Sequence, residues 1–141
     1  MKKVIIASDH AGVELKQHLK TLFADLITFT DLGTHSTDSM DYPDVVHPLC
    51  TQLPDFDFGI LICGSGNGVC MTANKHKGIR AALTWNTEVA QLAKQHNNAN
   101  IICLPARFIS FEEAKNILES YMNATFEGGR HQNRVCKIDI Q

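Results

Sequence analysis

The sequence predicts an α/β protein, a five-stranded parallel sheet covered by helices on both faces. Three observations lead there. Short apolar runs alternate with stretches of helical periodicity along the whole chain. The run at residues 58–63 lacks the polar alternation of a half-exposed strand, which is how a strand buried on both faces reads. Glycines at 64, 66 and 68 follow that run directly, where a strand has to turn sharply into the next element.

Taken in order, residues 3–8 read as the first strand. Leu15, Leu19, Leu22 and Leu26 recur at helical spacing and predict the first helix. Residues 27–31 form a second strand, ended by Leu32 and Gly33, and residues 42–53 a helix broken by Pro54. The third strand, 58–63, leads through the glycines into a short helix at 69–73. Residues 79–83 and 100–104 supply the fourth and fifth strands, with Val89, Leu92, Ala93 and His96 marking a helix face between them. Ser110 and Glu113 form a capping-box signature ahead of Ala114, Ile117, Leu118 and Tyr121 in helical phase. From Glu127 a C-terminal helical extension follows, expected to pack elsewhere, against a partner subunit. Strands separated by helices throughout imply a three-layer α/β/α, Rossmann-like arrangement. Residues 1–141 are read as a single domain.

The balance of 13 Lys and Arg against 15 Asp and Glu argues against nucleic acid as the main partner, because binding a phosphate backbone takes clustered positive charge. No run is long and apolar enough for a membrane span, and the opening apolar stretch is too short for a signal peptide. Five scattered cysteines, Cys50, Cys63, Cys70, Cys103 and Cys136, speak against a disulfide framework and for a reducing, cytoplasmic setting.

Open α/β sheets bind ligands beyond the carboxyl ends of their strands. By that rule Asp9 and His10, Cys63 with residues 64–68, Thr84 and Arg107 gather on one edge. A glycine turn feeding a helix N-terminus presents backbone N–H groups to an anion. A thiolate, the reactive form of cysteine, is favoured in the same place, so Cys63 is a candidate nucleophile or base. The phosphatase pattern is excluded, since the sixth residue after Cys63 is Val69 and not arginine. Neither the mononucleotide-loop spacing nor the dinucleotide fingerprint is present. Asp9 and His10 pair a carboxylate with an imidazole, although Asp9 also suits a helix cap. His96, in phase with an apolar face, reads first as a core histidine and only second as an acid–base group. Arg130 and Arg134, four apart, share a helical face suited either to solvent or to a phosphate. Asp38, Asp41, Asp44 and His47 recur every three residues but match no definable ligand set, so no resident metal or other cofactor is expected.

The segments SDHAG at 8–12, DYPD at 41–44, ICGSG at 62–66, ANK at 73–75, GIRAA at 78–82, HN at 96–97 and GGRH at 128–131 together resemble the ribose-5-phosphate isomerase B family, which includes allose and galactose 6-phosphate isomerases. The resemblance runs in order from the first strand to the tail. It implies a metal-free aldose–ketose isomerase acting on a sugar phosphate through a cis-enediolate. Cys63 matches the family's base, and Ser65 a position whose hydroxyl assists at the reacting oxygens. The backbone from Gly64 through Gly66 and Asn67 to Gly68 would hold the enediolate charge. Asp9 and His96 match ring-opening positions. His10, Arg107, Arg130 and Arg134 match phosphate-binding positions, and Tyr42 and Asn97 sugar-contacting ones. The family's sites lie between subunits, which implies a homodimer or a dimer of dimers, with His96 or the tail arginines acting in trans. The chain departs from the pattern at Pro105, where glycine is common, and at Asn67 and Cys70. Ribose 5-phosphate isomerisation is the leading expectation. The rivals are a hexose 6-phosphate isomerase, a non-catalytic sugar-phosphate sensor and a cysteine hydrolase working through a covalent intermediate.

Overall fold

In the computed structural model, which describes all 141 residues, five parallel strands run in the order β2-β1-β3-β5-β4. They are β1 (Lys2–Ser8), β2 (Ile27–Asp31), β3 (Phe58–Cys63), β4 (Ala81–Leu83) and β5 (Ile101–Pro105). The helices are α1 (Val13–Leu22), α2 (Pro43–Gln52), α3 (Asn67–Ala73), α4 (Thr87–Gln95), α5 (Phe111–Asn123) and α6 (Arg130–Val135). The three-layer α/β/α fold expected from the sequence is the one observed, and it has two cores because alternate strand residues face opposite layers. Val4, Ile6, Ile60, Ile62, Ile102 and Leu104 pack under α1, α4 and α5. Ile5, Ala7, Leu61, Cys63, Ile101 and Cys103 pack under α2 and α3. All six residues of β3 are buried, as its unalternated sequence requires. No helix is long and apolar enough to cross a membrane.

Four elements differ from the expectation in their details. First, α1 ends at Leu22, and its buried row is Leu15, Leu19 and Phe23, while Leu22 and Leu26 are exposed. Phe23 caps the helix by donating its N–H to the Leu19 carbonyl, which ends the turn that Leu26 would have continued. Second, β4 begins at Ala81 rather than 79, because the Arg80 N–H bonds to the Asn100 side-chain oxygen at 2.7 Å and leaves the ladder. Third, β5 is shifted by one residue and runs on to Pro105, opposite Cys63. Fourth, α4 buries Ala90 and Ala93, leaving Leu92 exposed and Val89 half-buried. By contrast, the Ser110–Glu113 capping box forms with both bonds at 3.0 Å, and the four residues expected in phase behind it are buried.

One buried charge carries no signature in the sequence. The Lys16 side chain is fully enclosed and donates to Asp31 Oδ1 at 2.9 Å and to the Thr34 carbonyl. Lys20 reaches Asp31 Oδ2 at 3.0 Å, and the Gly33 N–H completes the carboxylate's shell at 2.8 Å. Burial pushes the Lys16 ammonium below the usual lysine range, outweighing the pull of Asp31. Burial also disfavours charge on Asp31, but the bonds from Lys16, Gly33 and Lys20 more than reverse this and hold it below the usual carboxylate range. The loop so pinned pairs with the end of β1, through Ser8 N–H to the Gly33 carbonyl and Thr34 N–H to the Ser8 carbonyl, both 2.8 Å.

Replacing one member of a buried pair strands the other. Lys16→Met is expected to cost about 3 kcal/mol in urea denaturation at neutral pH. A depressed carboxylate stabilises the fold above its unfolded value and loses that contribution as pH falls through its folded one. The gap between Lys16→Met and the parent therefore begins to narrow below pH 3.8, the ordinary carboxylate value, and goes on narrowing as pH falls through the lower folded value of Asp31. An equal gap at pH 7 and pH 2.5 would remove Asp31 as the partner that matters.

Candidate active site

The strand order reverses between β1 and β3: the chain leaves β1 toward one edge for β2 and fills the other side afterwards. Such a switch point opens a crevice at the carboxyl ends of the two strands. Here the two ends are tied together, with the Asp9 N–H donating to the Ile62 carbonyl at 3.0 Å. Asp9 is buried, and its Oδ1 accepts from the Ala11 N–H at 2.9 Å, capping the single helical turn His10–Gly12. The capping function read from the sequence is thus present, and it fixes the carboxylate beside the crevice. His10, half-buried, accepts the Met40 N–H through Nδ1 at 3.3 Å, which draws the loop before α2 toward the same place.

Cys63 ends β3 with its side chain on the α2/α3 face. The backbone then turns over itself, and the Gly66 N–H points at Cys63 Sγ from 3.2 Å. Gly66 has φ +77°, a left-handed conformation open to glycine, and a Cβ there would lie 2.5 Å from Leu83 Cδ1. Ser65 Oγ accepts from the Asn67 N–H at 3.2 Å, holding the hydroxyl at the start of α3. At Gly68 a Cβ would lie 2.4 Å from Tyr42 Cζ, so the tyrosine ring lies directly on the backbone of α3. The turn is also bound to the end of β5, since Ala106 and Arg107 donate their N–H groups to the carbonyls of Cys63 and Gly64 at 2.9 and 3.0 Å. Pro105 fits this arrangement: its nitrogen, which has no hydrogen to donate, faces Gly66, and the Arg107 guanidinium lies against Gly64.

The crevice that results has a volume of about 700 Å³ and is lined by Asp9, His10, Asp41, Tyr42, Asp44 and Arg107, together with Met40 and Pro43. An exposed guanidinium, an imidazole and an aromatic ring therefore face one opening, and the guanidinium and the aromatic ring also pack against the turn after Cys63, at Gly64 and Gly68. Among the other core-facing cysteines, burial pushes the Cys50 thiol up to about 11 and the Cys103 thiol well above its usual value. Cys70 on α3 donates to the Ala81 carbonyl at 3.3 Å and acts as a packing residue. Thr84, on the same edge in the sequence, is buried, with its hydroxyl donating to the Cys103 carbonyl at 3.3 Å. Of the spaced acids, Asp41 and Asp44 line the crevice, whereas His47 turns away to His76, with ring nitrogens 2.7 Å apart.

Of the residues singled out in the sequence, Asp9, His10, Tyr42 and Arg107 line this crevice; Cys63 and residues 64–68 are not in its lining and adjoin it where Tyr42 packs on Gly68 and Arg107 on Gly64, and His96, Asn97, Arg130 and Arg134 stand elsewhere. His96 caps the end of α4 and is half-buried, and its ring stacks on His131 with centroids 4.2 Å apart and planes 13° from parallel. Asn97 is exposed and lines a different cleft of about 560 Å³ with Lys75, Arg80 and Ile138. Arg130 and Arg134 are exposed on α6, one turn apart. The sequence did not mark Glu127 or His131. His131 is buried, and its imidazole is held below the usual range by desolvation first, then by the charges of His96 and Arg130. The signals available were the spacing of four between Glu127 and His131 and, for His131, its place in the GGRH segment at 128–131.

Substituting Gly66 tests the turn. Gly66→Ala is expected to cost about 1–2 kcal/mol from the left-handed backbone alone. It should also change the rate at which iodoacetamide alkylates Cys63, read by mass spectrometry of the 63-containing peptide. An unchanged alkylation rate would show that the turn does not control the thiol.

Comparison with known proteins gives a consistent picture. The family model described as Ribose/Galactose Isomerase matches residues 4–138. Ribose-5-phosphate isomerase B of Escherichia coli (strain K12) is 38% identical over 141 residues, covering 98% of this chain and 95% of that protein. A crystal structure of a ribose 5-phosphate isomerase from Thermotoga maritima superimposes with a TM-score of 0.95 at 45% identity, covering 98% of this chain and 97% of the other. Ribose-5-phosphate isomerase B from Mycoplasma genitalium, whose structure holds ribulose-5-phosphate, gives a TM-score of 0.87 at 45% identity over 96% of this chain and 93% of that one.

Proposed function

The chain belongs to the ribose/galactose isomerase family, and from that premise we propose that it interconverts D-ribose 5-phosphate and D-ribulose 5-phosphate. The observation that carries the reading is the Gly66 N–H aimed at Cys63 Sγ at the β1/β3 crevice, with Asp9, His10, Tyr42 and Arg107 around it. A thiol under fixed N–H donors is what a C–H abstraction needs. A proton next to a carbonyl is too weakly acidic to leave unless the resulting oxyanion is stabilised as it forms.

In this mechanism the sugar ring is first opened, with Asp9 and His96 passing protons to and from the ring oxygen and the anomeric hydroxyl. The Cys63 thiolate then takes the proton from C2 of the open aldose, and the C2–H electron pair forms the enediolate double bond. The charge on O1 is met by backbone N–H groups of residues 64–68, and the Ser65 hydroxyl assists the exchange of a proton between O2 and O1. Cys63 returns its proton to C1, giving the ketose and restoring the thiolate. The phosphate is held at the far end by His10 and the arginines, and Tyr42 and Asn97 contact the sugar between. Remote phosphate binding orients the reacting carbons and so contributes to rate as well as affinity.

His96, Asn97, Arg130 and Arg134 lie outside the crevice of their own chain, which supports a site shared between two copies. In that arrangement one copy gives Cys63, the donor turn, Asp9 and Arg107, and its partner gives the α4 end and the tail arginines.

Turnover of ribose 5-phosphate by the purified protein, insensitive to chelator, is the expected result. A preference for allose 6-phosphate would keep the chemistry and change the substrate, while binding of either sugar without turnover would overturn the enzyme reading. Cys63→Ala should lower kcat on the order of 10²–10⁴-fold while phosphate-ligand affinity stays near that of the parent. Retained turnover would remove Cys63 as the base. Arg134→Ala should raise KM by about tenfold or more with a smaller effect on kcat, as expected for a lost charge-assisted bond to phosphate. Co-expressing the two variants recovers part of the parent rate if the residues serve one site from different chains. No recovery would place them on the same chain.

A further inference from the structure

We propose that His96, Glu127 and His131 form a binding site for a divalent late-transition cation, zinc above all, and that occupancy withdraws His96 from the isomerase site. The cation site rests on the geometry alone; the effect on turnover rests on the role assigned to His96 above. Glu127 Oε1 lies 3.7 Å from His96 Nε2 and 3.6 Å from His131 Nε2, and the three potential ligand atoms all lie within 4.8 Å of one another. These separations are too long for hydrogen bonds, so one carboxylate oxygen faces two ring nitrogens without being bonded to either.

The three residues come from two segments, the end of α4 and the strap leading into α6, joined by a backbone bond. The His96 N–H bonds to the Leu92 carbonyl at 2.8 Å, the Glu127 N–H to the Gln95 carbonyl at 3.0 Å and the His131 N–H to the Gly128 carbonyl at 3.0 Å. The second of these ties the strap before α6 to the end of α4. Both Nε2 atoms lie beside Glu127, but the rings of His96 and His131 are stacked nearly parallel, so aiming both in-plane lone pairs at one ion takes a rotation of the more exposed His96 ring. Tetrahedral ligation at about 2.0–2.1 Å sets neighbouring ligand atoms about 3.3 Å apart. From Glu127 Oε1 to each ring nitrogen the contraction is a few tenths of an ångström, and the side chains of His96 and Glu127, 37% and 51% exposed, have room to turn and are open to an entering ion and its water.

Two imidazoles and one carboxylate are a donor set for zinc, cobalt or nickel rather than for magnesium or calcium, which take oxygen ligands. Three protein ligands leave a fourth position for water. Arg130 and Arg134 place positive charge near His131, which weakens cation binding. A histidine whose Nε2 is bound to a cation cannot pass a proton, so the bound form is an inactive one.

The experiment titrates the purified full-length protein with Co²⁺, read by its visible absorption, and with Zn²⁺, read by ribose 5-phosphate turnover before and after adding a chelator. The expected result is one cobalt ion per chain, bound at least about tenfold more weakly by Glu127→Gln and by His131→Gln, since losing a ligand costs no less than losing its supporting contacts. Cys63→Ser and Cys136→Ser should bind cobalt as the parent does, which separates this site from thiol capture. Circular dichroism melts check that each variant is folded. Zinc should inhibit the parent over its own binding range and reversibly, while Glu127→Gln keeps its turnover and resists zinc. Cobalt binding that survives both Glu127→Gln and His131→Gln, or is lost only with a cysteine, overturns the site. Binding at the site without loss of turnover overturns the withdrawal of His96. A protein that binds cobalt as expected but turns over no sugar phosphate overturns the isomerase reading and leaves the cation site standing.

Discussion

The arrangement of the crevice depends on how little room there is around the turn that follows β3. Residues 64–68 are approached from three directions: Arg107 from the end of β5, Leu83 from the end of β4 and Tyr42 from the start of α2. Each approach is close enough that a side chain on the facing glycine would have to displace it. The left-handed Gly66 allows the chain to fold back so that its own N–H meets the sulfur of Cys63. A looser turn would put the thiol, the donors and the surrounding groups into many arrangements instead of one, and effective positioning is lost with displacements on the order of 1 Å.

The stability of the fold and the order of the crevice share the same supports. The buried strands supply two apolar layers that fix the sheet, and the ends of those strands carry the polar groups. Where the loop after β2 would otherwise be free, Lys16 and Asp31 pin it against the end of β1, next to Asp9. A buried ion pair is a costly way to hold a loop, because both charges are desolvated. Its value is directional: the ammonium and the carboxylate together specify one path for residues 31–34, which an apolar contact of the same size would not.

The titratable groups fall into two sets with different surroundings. Asp9, His10 and Arg107 stand at the carboxyl ends of β1 and β5 around Cys63, tied to the sheet by backbone bonds. His96 stands at the end of α4, Glu127 on the strap before α6 and His131 in its first turn, with the two rings stacked and the carboxylate facing both. The exposed position of α6 and its arginines places that second set where another copy can meet it.

The sequence by itself determined the sheet, most of the helices and the glycine turn that follows β3. Buried parallel strands are read from unbroken apolar runs, a capping box from two residues, and a donor turn from three alternate glycines, because each is a local property of the chain. The seven ordered segments also carried the family resemblance, which no single one of them would have done. Tertiary structure decided the rest. Phe23 displaced Leu22 and Leu26 from the core because the helix ended first, and β4 lost Ile79 and Arg80 because Asn100 captured a backbone N–H from a distant strand. Lys16 is buried only because Asp31 and the Thr34 carbonyl come to meet it, and nothing around residue 16 announces them. Which groups share a crevice, Arg107 with Asp9 and His10 but not His96 with Cys63, follows from strand order and loop closure. Those are contacts between residues far apart in the chain, and spacing along a sequence does not encode them.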